Sequence, residues 1–511
     1  MVMDTDVIVV GAGPTGLTLA GELCRAGVRP LVLERHPAFR DIPKAGGLNG
    51  RIVELVRYRG LLERFEAAGT AAIPAPQLPF GGIHVDFTGL ADPPMELLML
   101  PQPQLERLLA EIAGELGAEI RRGQELIGLS QDVGSVTAEV RGPEGTHEVT
   151  ARYLVGCDGA SSRVREIADI SFPGTTFPEI QRMAQTTIPE SVTVLENCDL
   201  EVVGVGRIPF GFTPTERGVF ATGSVDRSLL GVYTSEQESV EYDDDEPMTV
   251  TEVRDSIRRV LGVDLPLGEP VRLTRFSYHA RHAEGYRHGR VLLAGDAAHL
   301  FPAGGVALNA GMVDSVNLGW KLAAEIQGWA PPGLLDTYSD ERRLAAERTL
   351  LHARAQWAMR RGHDAAADAL RELFLELVTD EPALRRIGAL IAGTDVRYPG
   401  PNPNDHSLTG TFAADLTLQT AEGATSVGEL MHTARPVLLD LADRSDLRQA
   451  ARGWQNRVDV HTGTTDDRPA DALLIRPDGH VAWAAAIEEP VDGAGATLRE
   501  ALSYWFGERA C

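Results

Sequence analysis

The chain has 511 residues, 43% of them hydrophobic and 24% charged, with a formal net charge of −25. That length exceeds what one hydrophobic core serves and implies two to four domains of an ordinary globular protein. So acidic a chain excludes a nucleic-acid binder, which needs a basic surface, and argues against docking on an anionic membrane.

No apolar run approaches the ~20 residues that span a bilayer, and the start of the chain carries no signal-peptide pattern. The four cysteines (Cys24, Cys157, Cys198 and Cys511) are scattered, without CxxC or metal-ligand spacing. We therefore expect a cytoplasmic protein with no disulfide scaffold and no metal site.

The first predicted element is an apolar strand over 5–10, running straight into Gly11-Ala-Gly13-Pro14-Thr15-Gly16 and an amphipathic helix over 17–26. A second strand over 30–34 ends in Glu34, with Arg35 beside it. Each part has a physical task. Gly11 permits a tight turn, Gly13 lets the backbone approach a pyrophosphate, and Gly16 permits close packing. The free N–H groups of the helix N-terminus hold the phosphates, and Glu34 accepts from ribose hydroxyls. A dinucleotide is the expected ligand.

Residues 47–55 read as a turn entering a helix, 83–87 as an antiparallel strand, and 105–117 as an amphipathic helix. Strands fill 119–155 and end in the apolar run 153–157, which opens into Asp158-Gly159 and Arg163. A carboxylate and a glycine at such a turn can meet a cofactor closely, although a capped helix start reads the same way. Short alternating strands over 200–208, 218–224, 231–234 and 271–278 mark a β-rich module between 172 and 284. Phe210, Phe212 and Phe220 are its candidate aromatic walls for a ligand, and the acidic run 241–246 reads as a solvated loop. A buried strand returns at 290–294 and meets Gly295-Asp296, where the carboxylate is placed for polyol hydroxyls. Pro302, Gly304 and Gly305 form a backbone loop able to touch a flat ring. Leu308 and Asn309 open the next helix, whose dipole favours negative charge. Helices fill most of 305–394, a proline-rich linker occupies 398–405, and a small α/β unit follows, with strands over 436–440, 458–461 and 472–476.

The three motifs at Gly11–Gly16, Asp158-Gly159 and Gly295-Asp296 together resemble the flavoprotein aromatic hydroxylases of the para-hydroxybenzoate hydroxylase type. The likeness covers the whole chain and is nearest to the actinobacterial aromatic polyketide (angucyclinone) hydroxylases. The tail resembles their thioredoxin-like C-terminal domain at 432–435, 438–440 and 476–483. The resemblance implies an α/β fold. A discontinuous Rossmann-like FAD-binding domain (1–75, 99–171 and 285–396) carries an inserted antiparallel β-sheet substrate domain (76–98 and 172–284). The thioredoxin-like domain spans 397–511. It also implies FAD, transient NADPH (NADH being possible) and O2, with a flavin C4a-hydroperoxide hydroxylating a polycyclic aromatic polyketide in antibiotic biosynthesis. The enzyme would act as a monomer or homodimer. Gln102 falls where the family contacts the flavin, and Arg163 where it meets both nucleotides. Arg281 or His282, just before the third motif, would face the flavin; His84, His279 and His299 are further candidate bases for a phenol.

Two positions depart from the family pattern. Lys44 stands where many members carry arginine and lacks its planar fork. Val306-Ala307 replaces the usual Gln-Gly, restricting a backbone that glycine leaves free. The second departure keeps open Baeyer–Villiger insertion, oxidative rearrangement or dehydration on the same substrate class, or a non-catalytic flavoprotein.

Overall fold

The computed structural model describes residues 3–41, 45–223, 228–238, 247–302, 306–361, 364–402 and 405–509. Lys44, Gly304, Gly305 and the acidic run 241–246 lie outside the described residues.

A six-stranded sheet places the site. Its order is Arg287–His288, Val291–Leu293, Tyr153–Gly156, Val7–Val10, Pro30–Glu34, Glu119–Arg122. All neighbours are parallel except the first pair. Strands covered on both faces must be apolar throughout, and Val7, Ile8, Val9, Leu154, Val155, Leu292 and Leu293 are each fully buried. Helix Pro14–Arg25 packs against helix Ala307–Gln327, and a meander (Glu125–Gln131, Val136–Gly142, Gly145–Ala151) forms a separate sheet. Strand Val7–Val10 sits where the order reverses: the chain goes one way to Pro30–Glu34 and the other way to Tyr153–Gly156. Open α/β sheets bind ligands at the carboxyl ends of strands flanking such a point.

The second large sheet is antiparallel, in the order Gly211–Thr215, Gly218–Gly223, Leu229–Gln237, Gly174–Thr187, Pro270–His282, His299–Leu300. Two of its parts were not expected. The 14-residue strand Gly174–Thr187 hides its pattern because Gln181 and Arg182 are fully buried polar residues that break the apolar alternation. Arg182 is held by Glu236 (3.1 Å), Glu238 (2.7 Å) and Glu252 (2.8 Å). The second is helix Val250–Leu261, capped by Thr249, which covers one face of this sheet through Val253, Ile257 and Val260.

Beyond residue 405 a four-stranded sheet runs Asp459–Thr462, Val437–Asp440, Ala472–Ile475, Val481–Ala485, the first pair parallel and the others antiparallel. The first three of these strands fall within two residues of their expected positions. Helix Val491–Phe506 covers the sheet, and Leu498, Leu502 and Phe506 share a core with Trp320 and Ala324 of helix Ala307–Gln327. The stretch read as a free linker is anchored at its start, since Tyr398 is 2% exposed. No helix among the described residues is long and apolar enough to cross a membrane.

Candidate cofactor and substrate site

The first glycine motif divides its tasks as its chemistry requires. Gly11 has φ +107°, and a Cβ there would lie 2.4 Å from the Cys157 carbonyl oxygen. A Cβ on Gly16 would lie 2.0 Å from the Gly11 carbonyl oxygen, whereas one on Gly13 would meet nothing within 4 Å. Packing therefore demands the outer glycines, and open space surrounds the middle one. Pro14 occupies the first turn of an N-terminus without a side-chain cap. Thr15 turns inward instead: a Cβ on Gly295 or Gly311 would come within 2.6 or 2.5 Å of its Oγ1. It packs the first motif against the third.

Glu34 ends the second strand and accepts from the Ala12 N–H (2.9 Å) and the His36 N–H (2.9 Å). Its carboxylate thus stands beside the glycine loop, while Arg35 is exposed. Gln102 opens helix Gln102–Glu115, donates its side chain to Glu106 (2.8 Å) and its backbone N–H to Ala45 (3.0 Å).

Asp158 is half-buried and accepts from Ser162 Oγ (2.5 Å) and the Val164 N–H (3.0 Å), so it caps the short helix Arg163–Ile167. Burial raises its pKa despite those donors. Gly159 has φ +83° and nothing within 4 Å of a built Cβ. Two arginines stand at this turn, Arg163 and Arg165. Arg163 is half-exposed and pairs with Glu166. Arg165 bonds the carbonyls of Ala297 (2.9 Å) and Ala160 (3.0 Å), tying the second motif to the third. The clue in the sequence was Ser162: once it caps, the third helical residue turns back along its own first turn.

Gly295 has φ +64°, and its N–H donates to buried Asp314 (2.9 Å). Asp314 also accepts from His299 Nε2 (2.7 Å) and Arg342 Nε (2.6 Å). Burial alone would raise the Asp314 pKa, but Arg342 and His299 outweigh it and hold the carboxyl at about 2. Arg342 continues to the Tyr398 hydroxyl (2.7 Å), whose ring stacks on His480 at 4.3 Å. Arg476 then pairs with Glu341 (2.6 Å), which also takes Lys321 (2.6 Å). Sequence reasoning missed this buried network, which ties the third motif to the C-terminal unit. Asp296 is half-buried on the turn Gly295–Ala297, and Pro302 is buried. Leu308 packs toward the main core, and Asn309 Oδ1 accepts from the Asn49 N–H (3.2 Å).

Arg281 and His282 do not form a pair facing one ligand, because successive strand residues point to opposite faces. Arg281 bonds the Phe172 carbonyl (3.2 Å) and Thr176 (3.1 Å). His282 bonds the Tyr286 hydroxyl (2.8 Å), and burial, aided by His299, lowers its pKa to about 4. His279 bonds Thr176 (3.1 Å), whereas His84 stacks on Phe210 at 5.5 Å.

The aromatic candidates also separate. One cross-strand row holds Phe212, Ala221, Tyr233, Met183 and Thr274. It faces the end of helix Asp336–Arg361, whose Arg360 guanidinium lies 4.7 Å from the Phe212 ring. Phe210 is 37% exposed at the rim. Phe220 is fully buried on the opposite face, in the core under helix Val250–Leu261. It is a core residue, not a ligand wall.

Two glycines opening on free space, uncapped helix N-termini and an acid at the end of the second strand all fit a bound dinucleotide. The sequence matches the FAD binding domain family over residues 4–353 and the aromatic-ring hydroxylase C-terminal family over 406–509. The chain belongs to the FAD-binding aromatic-ring hydroxylases. It is similar to a 12-dehydrotetracycline 5-monooxygenase/anhydrotetracycline 6-monooxygenase of Streptomyces rimosus, at 41% identity over 99% of this chain and 100% of that one. The crystal structure of CabE, an aromatic hydroxylase from angucycline biosynthesis, matches with a TM-score of 0.88 at 37% identity, covering 99% and 100% of the two chains. A dialkyldecalin synthase of Streptomyces rugosporus is 38% identical over 99% of this chain and 100% of its own length. This hydroxylase is thus an FAD-dependent monooxygenase by family.

Proposed function

We propose that this enzyme uses NADPH and O2 to hydroxylate a polycyclic aromatic polyketide of the angucyclinone kind. The observation that carries the proposal is the meeting of three backbone turns (11–16, 158–159 and 295–296) at one crevice, backed by Arg165 and Asp314. In this reading Gly13 and the first helix N-terminus take the pyrophosphate, and Glu34 and Asp296 take polyol hydroxyls. Asn309 and the uncapped start of helix Ala307–Gln327 face the ring system, and Gln102 holds its loop. When bound and reduced, FAD supplies the electrons that activate O2. The protein's own work is to orient the aromatic ring and exclude water. Phe212 and Phe210 flank the substrate, and His84, beside Phe210, is the histidine best placed to take a phenol proton. Burial lowers its pKa, so it is neutral and able to accept.

NADH is the alternative reductant. The strand order and directions beyond residue 405 support a thioredoxin-like unit, and the antiparallel sheet supports an inserted substrate domain with the boundaries given above. We place the enzyme in the cytoplasm as a monomer or homodimer. A second outcome on the same substrate class, insertion, rearrangement or dehydration, is favoured by one feature. Val306, at the cap of helix Ala307–Gln327, stands in place of the family's glutamine.

The test is anaerobic reduction of the purified holoenzyme by NADPH, followed by mixing with O2 and a trial angucyclinone. A product one oxygen heavier supports hydroxylation or insertion, which product NMR separates; loss of water supports dehydration. No NADPH oxidation with any aromatic ligand would leave a non-catalytic flavoprotein.

A further inference from the structure

The inner face of the antiparallel sheet carries a buried cation with no anion beside it among the described residues. Arg360 is 9% exposed and lies over Phe212 at 4.7 Å and near Trp357 at 6.0 Å. Its partners are the hydroxyls of Tyr233 and Tyr278; among the described residues it forms no ion pair, and its Nε has no hydrogen-bond partner. The orphans do not end there. On the same sheet face, Thr274 Oγ1 and the Nε and Nη2 atoms of Arg272 are buried without partners among the described residues. So is Trp357 Nε1, on the helix turn before Arg360. Trp357 meets Tyr278 edge-on at 5.0 Å, which joins the helix to that face. Donors outnumber acceptors here, and a buried guanidinium without a counter-ion is costly unless a ligand supplies the charge.

The position along the helix gives this surface a place in the reaction. Leu350 shares a cluster with Phe301, Val306 and Ala280, beside the loop proposed to meet the flavin ring. Arg360 lies ten residues further, about 15 Å at 1.5 Å per residue. A fused polycycle reaching from the flavin ring would bring its far end to Arg360.

We propose that Arg360, held in place by Tyr233 and Tyr278, binds a delocalised oxyanion, the phenolate or enolate of a fused polycyclic aromatic, at the end of the substrate remote from the flavin. The aromatic faces of Phe212 and Trp357 stack on the ring bearing it, and Thr274 and Arg272 donate to neighbouring oxygens. The assignment rests on the substrate class proposed above and narrows it to molecules with an acidic hydroxyl or an enolised 1,3-dicarbonyl.

The probe is alizarin, a polycyclic phenol whose visible absorption reports its ionisation, with anthraquinone as the neutral control. Holoenzyme is titrated with each, for the wild type and for Arg360→Met, Arg360→Lys and Thr274→Val. The wild type binds alizarin phenolate at least tenfold more tightly than its neutral form or anthraquinone, and so lowers the bound phenol's pKa. Arg360→Met abolishes that preference while retaining anthraquinone binding; Arg360→Lys keeps part of it. The Tm of Arg360→Met is equal to or above the wild type, as removal of an unpaired buried charge requires. Equal phenolate affinity in wild type and Arg360→Met overturns the proposal, as does a wild type that binds neither probe. Should Arg360→Met fail to fold, unchanged phenolate preference in both Arg360→Lys and Thr274→Val overturns it. Phenolate binding through Arg360 without NADPH-driven oxygenation of any phenol sinks the hydroxylase reading and leaves the binding site standing.

Discussion

Arg342 and Arg360 lie about five turns apart on one helix, Asp336–Arg361, and are both buried, yet their surroundings are opposite. Arg342 is saturated: Asp314 takes its Nε, Tyr398 its Nη1 and the Ala310 carbonyl its Nη2. Arg360 has aromatic rings and two tyrosine hydroxyls, and no carboxylate among the described residues. The first arrangement is complete without a ligand and fixes the Gly295 turn. The second holds charge in reserve. On the proposed reading, closed ion pairs build the cofactor cradle and open donors the substrate wall, which separates permanent structure from recognition.

Exchanging each arginine for methionine tests that separation most strongly. Arg342→Met strands the buried Asp314 carboxylate, and breaking a buried pair from one side costs about 3–5 kcal/mol. We expect a large fall in Tm and weakened FAD binding, against no fall for Arg360→Met; equal losses in thermal melts would erase the distinction.

Gly13→Ala comes next. A Cβ there meets nothing in the protein, so the melt of the apoprotein should move little, while FAD Kd, read by flavin fluorescence, rises roughly tenfold, about 1.4 kcal/mol. Unchanged affinity would remove the pyrophosphate from this loop.

The acid limb of stability sharpens the comparison from the other side. Burial holds His352 and His282 at about 4, below the ordinary histidine value near 6.5. A group whose folded pKa is depressed contributes stability that is present above its unfolded pKa and lost as pH falls through the folded one. Stability should therefore decline from about pH 6.5 toward 4, before Asp314, held at about 2, is protonated. His352→Asn should flatten part of that decline in melts recorded across the window; an unaltered slope would mean His352 is not a contributor.

The smallest effect separates two neighbouring arginines. Arg163→Ala breaks an exposed pair and should cost under about 0.5 kcal/mol. Arg165→Ala removes one carbonyl contact between motifs and one within its own turn, and should cost about 1 kcal/mol or more, with a rise in FAD Kd. Indistinguishable variants would restore Arg163 as the candidate.

Much of the cofactor side was legible because its signals are local. Gly11, Gly13 and Gly16 declare their roles within one turn, and each acid–glycine pair follows its strand directly. What stayed hidden depends on which face a residue takes in three dimensions. Alternation suggested that Phe212 and Phe220 are alike, but eight residues and a hairpin put them on opposite sides of the sheet. Tyr398 looked like the start of a proline-rich linker, because nothing nearby announces Arg342. Arg360 was invisible for the same reason: its meaning comes from strands far from it in the sequence.

The most direct test of the account is a single turnover of the holoenzyme with NADPH, a hydroxylated angucyclinone and 18O2, analysed by mass spectrometry. The account predicts a product carrying one labelled oxygen on the aromatic skeleton. NADPH oxidised with substrate bound, but with no label in the product, would contradict it.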